Sequence, residues 1–96
     1  MKLDLPQEAG KPIQLNTLQD FNKAYANAYQ SGKLLVIQFY ANWCGPCKRI
    51  SPFYDEMVAE YPNIIFSRVD GDVGKEIKEK YKVTAYPTFV LVKGGK

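Results

Sequence analysis

The sequence predicts an α/β domain, a central sheet with helices packed on it. Three observations carry that expectation. Apolar runs of strand length alternate with stretches of helical periodicity along the chain. Leu34–Ala41 is apolar on both faces except at Gln38, as in a central strand of a parallel sheet. Leu34 to Val69 reads as strand, helix, strand, a βαβ unit whose crossover should be right-handed.

Residues 1–12, with Pro6, Gly10 and Pro12, read as an irregular leader. Pro12–Leu15 can form a short edge strand, and Asn16 or Thr17 can cap the helix that follows. Leu18, Phe21, Ala24, Tyr25, Ala28 and Tyr29 recur at helical spacing, and Ser31-Gly32 ends that helix. After the Leu34–Ala41 strand, a helix is expected from about Cys44 to Tyr61. Pro52 should kink it, and Pro62-Asn63 should stop it. Ile64–Val69 is a second central strand, Lys75–Tyr81 a short charged helix, and Thr88–Lys93 a third strong strand before a Gly94-Gly95 turn. The order is β-α-β-α-β-α-β. Met57 and Val58 are expected in the core. The charged face of Lys75–Lys82 is expected in solvent.

Composition narrows the function. The 96 residues allow one domain, 1–96, and 13 aromatics make a core plausible at that length. The net charge of +3 is mild and the lysines are scattered, so no footprint for nucleic acid is visible. The chain has no histidine, the commonest metal ligand and general base. Met1–Lys11 has no apolar stretch of signal length, and no apolar run is long enough to span a bilayer. The expected localisation is cytoplasmic, with no membrane partner.

The chemistry concentrates at Cys44-Gly45-Pro46-Cys47. These are the only cysteines, and they close too small a loop to stabilise the fold by chain entropy. On the first turn of a helix they share a face, within reach of a disulfide yet able to sit open as two thiols. Unpaired N–H groups and the dipole at a helix start favour a thiolate at Cys44. Cys47, one turn deeper, should be the waiting thiol. Pro46 suits the first turn, where its missing N–H is not needed. Cys44 would then attack a partner disulfide and Cys47 would release the reduced partner. A zinc site needs two further ligands, and neither a third Cys nor a His exists to supply them. Asp70 and Asp72 are too few for a metal site, and Lys48 and Arg49 carry no assigned role. Gly-Pro between the cysteines at a strand-to-helix junction argues against two inert core thiols.

The run Phe39-Tyr40-Ala41-Asn42-Trp43-Cys44-Gly45-Pro46-Cys47-Lys48 resembles the active-site segment of thioredoxins. Pro52, Val69-Asp70-Gly71-Asp72, Val83–Phe89 and Lys93–Lys96 follow in the order that family shows. The resemblance implies a three-layer α/β/α thioredoxin fold with a mixed central sheet. It implies that Trp43 shields the cysteines and helps dock partners, against a plain reading as a half-buried aromatic. It also implies a cis bond at Pro87, beside the cysteines, with the Tyr86 backbone open to an extended partner. No bound cofactor is implied, only a redox-active dithiol. Its electrons would come from NADPH through a thioredoxin-reductase-type flavoprotein, and its substrates would be disulfide-containing proteins.

The chain departs from the family in three places. Gln38 stands where thioredoxins usually have a buried aspartate that takes the proton of the second cysteine. An amide cannot exchange a proton at neutral pH. The plain expectation for Gln38 is a buried amide that satisfies its neighbours. Tyr86 is bulkier than the residue many thioredoxins carry before the proline, which could narrow partner choice. The last strand and helix of the family do not follow Lys96, so Thr88–Lys93 should be an exposed edge with one sheet face uncovered. A fragment, a domain of a longer chain, or a second copy covering the gap would each account for that. The competing functions are a disulfide oxidase or isomerase of an oxidising compartment and a redox-inert interaction module.

Overall fold

The computed structural model describes residues 11–93. The leader up to residue 10 and the Gly94-Gly95 turn lie outside them. The elements are β1 (Ile13–Gln14), α1 (Leu18–Ser31), β2 (Leu34–Tyr40), α2 (Gly45–Glu60), β3 (Ile65–Asp70), α3 (Lys75–Lys80) and β4 (Thr88–Lys93). Every expected element is present, with boundaries moved by a residue or two. No helix among the described residues is long and apolar enough to cross a membrane.

Local chemistry sets the ends of α1. Thr17 is its N-cap: the Asp20 amide donates to the Thr17 hydroxyl, and the Asp20 carboxylate accepts from the Thr17 amide. This reciprocal box satisfies two donors that the helix start leaves open. Gly32 ends the helix at φ 70°, a left-handed conformation that glycine adopts without a Cβ clash. α2 continues through Pro52, which has no N–H to donate to the helix.

The sheet order is β1-β3-β2-β4. β2 runs parallel to β3 but antiparallel to β4, so the sheet is mixed. Strand alternation divides β2 between two faces. Leu35, Ile37 and Phe39 join Phe21, Ala24 and Ala28 of α1 and Ile77 of α3 in one core. Val36 points the other way, to Phe66 and to Tyr54 and Val58 of α2. The layers are therefore α1 and α3, then the sheet, then α2.

The α2 layer does not cover its face. Leu34, Val36, Phe53, Met57, Phe89 and Leu91 line part of an apolar groove of about 390 Å³ between α2 and β4. Phe89 and Leu91 are 40% and 65% exposed, on the strand that forms one edge of the sheet among the described residues. Among the described residues this side of the sheet is open beside β4. Met57 is a correction: it is 44% exposed, while Val58 is buried. The reason is rotation about α2, which directs Tyr54 and Val58 to the sheet and Met57 to the open groove. The charged face of Lys75–Lys82 lies in solvent as expected, with Lys78 partly covered, while Ile77 on the other side of α3 is fully buried.

Candidate active site

β2 and α2 bring the two cysteines to the C-terminal end of the central strand. After Tyr40 the chain turns, with the Cys44 amide donating to the Ala41 carbonyl at 3.1 Å. Cys44 is the N-cap of α2, in extended conformation, and its sulfur accepts from the Cys47 amide at 3.1 Å. A helix N-cap presents such donors because its first N–H groups have no helical partner. The same donor would stabilise a thiolate there. Gly45 and Pro46 form the first helical positions. The Cα atoms of Cys44 and Cys47 are 5.3 Å apart and their sulfurs are joined as a disulfide. Both sulfur-bearing residues are buried, Cys44 at 5% and Cys47 at 2% exposure.

Ala41, Cys44 and Cys47 form a small buried cluster against which Tyr40 and Tyr86 pack. The Tyr86–Pro87 peptide is cis and lies just before β4. Trp43 stands beside Tyr86, ring centroids 5.6 Å apart and edge to face. Its Nε1 donates to the Asp72 carboxylate at 3.0 Å. Trp43 is 69% exposed, which corrects the half-buried reading: the indole is held at its polar edge and its face is open to solvent.

Gln38 is fully buried, but the expectation of a satisfied amide fails. Neither its Nε2 nor its Oε1 has a hydrogen-bond partner. Its place in the sheet is the cause. It sits between Arg68 of β3 and Phe89 of β4, and neither offers it a bond.

Several residues around the site had no role in the sequence reading. Asp70 and Asp72 hold the turn after β3. The Asp72 amide donates to the Asp70 carboxylate at 2.9 Å, and the Asn42 amide reaches it at 3.5 Å. Gly71 lies under the Tyr86 ring, and a Cβ there would run into the phenol. Arg68 spreads its guanidinium over the Tyr40 ring, 4.2 Å from the centroid. The signal for Arg68 was available: it is the one charged residue inside an otherwise uncharged strand run, Ile64–Val69. No group of His, Cys, Asp or Glu that could hold a metal occurs among the described residues.

The family model for thioredoxin matches residues 13–96. The chain belongs to the thioredoxin family. A thioredoxin from Geodia cydonium is 49% identical over 82 residues, covering 85% of this chain and 76% of that protein. A thioredoxin H-type from Fagopyrum esculentum is 43% identical over 88 residues, covering 92% and 76%. Among solved structures, Fasciola hepatica thioredoxin superposes with a TM-score of 0.82 at 42% identity, covering 86% of this chain and 78% of that one. The thioredoxin fold expected from the motifs is therefore the fold present. This thioredoxin-family chain is a thiol–disulfide oxidoreductase whose redox chemistry resides in a cysteine pair.

Proposed function

We propose that the protein reduces protein disulfides, with Cys44 as the attacking thiol and Cys47 as the resolving thiol. The observation that carries this reading is Cys44 at the N-cap of α2, its sulfur already accepting the Cys47 amide. That donor and the helix start favour the thiolate, the form that attacks. A bond forms between Cys44 and one partner sulfur as the partner disulfide breaks, and one partner thiolate leaves. Cys47, as thiolate, then attacks the Cys44 sulfur. The Cys44–Cys47 disulfide forms, and the second partner thiolate leaves.

The surface around the cysteines suits a docked chain. Exposed Trp43, pinned by Asp72, and half-buried Tyr86 with cis Pro87 form the wall beside the disulfide. These residues are assigned to partner binding, with Gly45 and Pro46 shaping the turn between the thiols. Gln38 cannot accept the Cys47 proton, so that proton passes to water and resolution is slower than with a carboxylate. An unchanged rate of mixed-disulfide resolution in Gln38→Asp would remove that assignment.

The proposed electron source is NADPH through a flavoprotein reductase, and the proposed setting is the reducing cytoplasm. Both rest on family membership and on Gly-Pro between the cysteines. Residues 1–96 are taken as one domain. The test is a redox titration of the cysteine pair against thiol buffers of known potential, read by thiol-specific mass tagging. A single two-electron transition at strongly reducing potential is expected. A more oxidising midpoint would assign the protein to disulfide formation or isomerisation. A folded protein with no disulfide at any potential would leave only a binding module.

A further inference from the structure

Two cations reach the neighbourhood of the cysteine pair from different elements. Arg49 of α2 is exposed, and its guanidinium folds back toward the turn between the thiols: a Cβ on Gly45 would stand 3.9 Å from Arg49 Nη2. Lys78 of α3 is partly covered, its ammonium over the Tyr86 ring at 5.4 Å from the centroid. Tyr86 in turn packs against the cluster of Ala41, Cys44 and Cys47. Its hydroxyl is buried against Gly71 and has no hydrogen-bond partner. The phenol raises the pKa of Lys78 above the ordinary lysine value, ahead of a weaker pull from Asp72. Lys78 is therefore held as a cation on the wall beside the disulfide.

Neither cation is within ion-pair distance of a carboxylate among the described residues. The acidic groups of the turn after β3 are engaged elsewhere. Asp70 is buried and bonded to Asn42 and to the Asp72 amide, and Asp72 accepts the Trp43 indole N–H. Two positive charges beside the cysteines are thus left without a counter-charge of their own.

We infer that Arg49 and Lys78 are specificity-determining residues that favour partner proteins whose reactive disulfide is flanked by Asp or Glu. The inference rests on the disulfide-exchange reading and names the substrate class of that same site. Two residues of extended chain span about 7 Å, so the side chains close to a partner's cysteine are the ones that can pair with these cations. Opposite charge there speeds the encounter and fixes the register, and like charge opposes both. The net charge of +3 acts in the same direction at longer range.

The test uses three disulfide-linked peptides that differ only in the residues flanking the cysteine, which are Glu, Gln or Lys. The kcat/KM of the reduced protein on each is divided by the rate at which dithiothreitol reduces the same peptide. That ratio removes the effect of flanking charge on the disulfide itself. At low ionic strength the Glu peptide should exceed the Gln peptide about two- to fivefold, and the Lys peptide should fall below it by a similar factor. High salt should shrink the preference. Arg49→Gln and Lys78→Gln should each weaken it, the double variant should abolish it, and the double change to Glu should invert it. Arg49→Lys should keep it. A preference that survives intact in the double Gln variant overturns the inference, because other lysines would then supply it. If the parent protein reduces none of the peptides while dithiothreitol does, the exchange reading falls and this inference with it. If it reduces all three at equal ratios, only this inference falls.

Discussion

On the face of the sheet under α1 and α3, Leu35, Ile37 and Phe39 of β2 are fully buried among apolar neighbours. On the α2 face the intervening residues of the same strand meet a mixed company. Val36 packs on Tyr54 and Phe66, Gln38 has no hydrogen-bond partner, and Tyr40 carries a guanidinium. Phe89 and Leu91 add exposed apolar surface beside them. One face is built for stability. The other carries unsatisfied polar atoms and an open groove, and the cysteines emerge at its end. An unsatisfied buried polar group costs about 1–3 kcal/mol, a penalty the opposite core does not carry.

The sharpest break of this comparison is chemical. Cys44→Ser should lower reduction of a protein disulfide by roughly a thousandfold or more, since a hydroxyl cannot form the mixed disulfide. Its denaturation midpoint, measured on the reduced proteins, should hardly move. A large loss of stability there would show that the cysteine cluster is structural.

Next in size is Phe39→Ala, which should cost about 3–5 kcal/mol in urea denaturation by emptying the dry core. Leu91→Ala, on the open face, should stay within about 0.5 kcal/mol. Equal costs would mean that the groove is covered in solution.

Gln38→Leu tests the polar row from the other side. Replacing an orphaned amide by an apolar side chain of similar size should stabilise the protein by about 1–3 kcal/mol. A loss of stability would show that the amide is satisfied in solution.

Tyr54→Phe should lose a single hydrogen bond and carries a pH signature. The phenol donates to the Ser67 carbonyl at 2.6 Å, a bond whose removal should cost about 1 kcal/mol at neutral pH. Burial raises the pKa of Tyr54 above its ordinary value of 10.0. The folded state therefore holds the neutral phenol while the unfolded chain ionises. Stability from this group is complete below pH 10.0 and falls as pH rises toward the folded value. In Tyr54→Phe the fall in stability above that pH should be shallower. Parallel curves for the two proteins would remove Tyr54 from the alkaline transition.

Thr88–Lys93 is a strand in the structure with the boundaries the sequence indicated, because a run of β-branched and aromatic residues between a proline and two glycines admits little else. The Cys-Gly-Pro-Cys turn was equally readable, since proline in the first turn and open N–H groups are local requirements. The Thr17–Asp20 box was present in the sequence but does not change which residues form the helix. Met57 went wrong because helical periodicity places two apolar stripes on α2 and does not say which one the sheet covers.

The sequence by itself determined the βαβ frame, the cysteine pair and its place at a helix start, because these follow from spacing, periodicity and backbone chemistry within a few residues. Only the tertiary structure decided that Arg68 lies beside Gln38 and over Tyr40, that Asp72 holds Trp43, and that Gly71 makes room for Tyr86. Those contacts join residues up to thirty positions apart. They depend on strand register and on how the turns meet above the sheet. A register shift of one residue would turn each of these strand side chains to the opposite face.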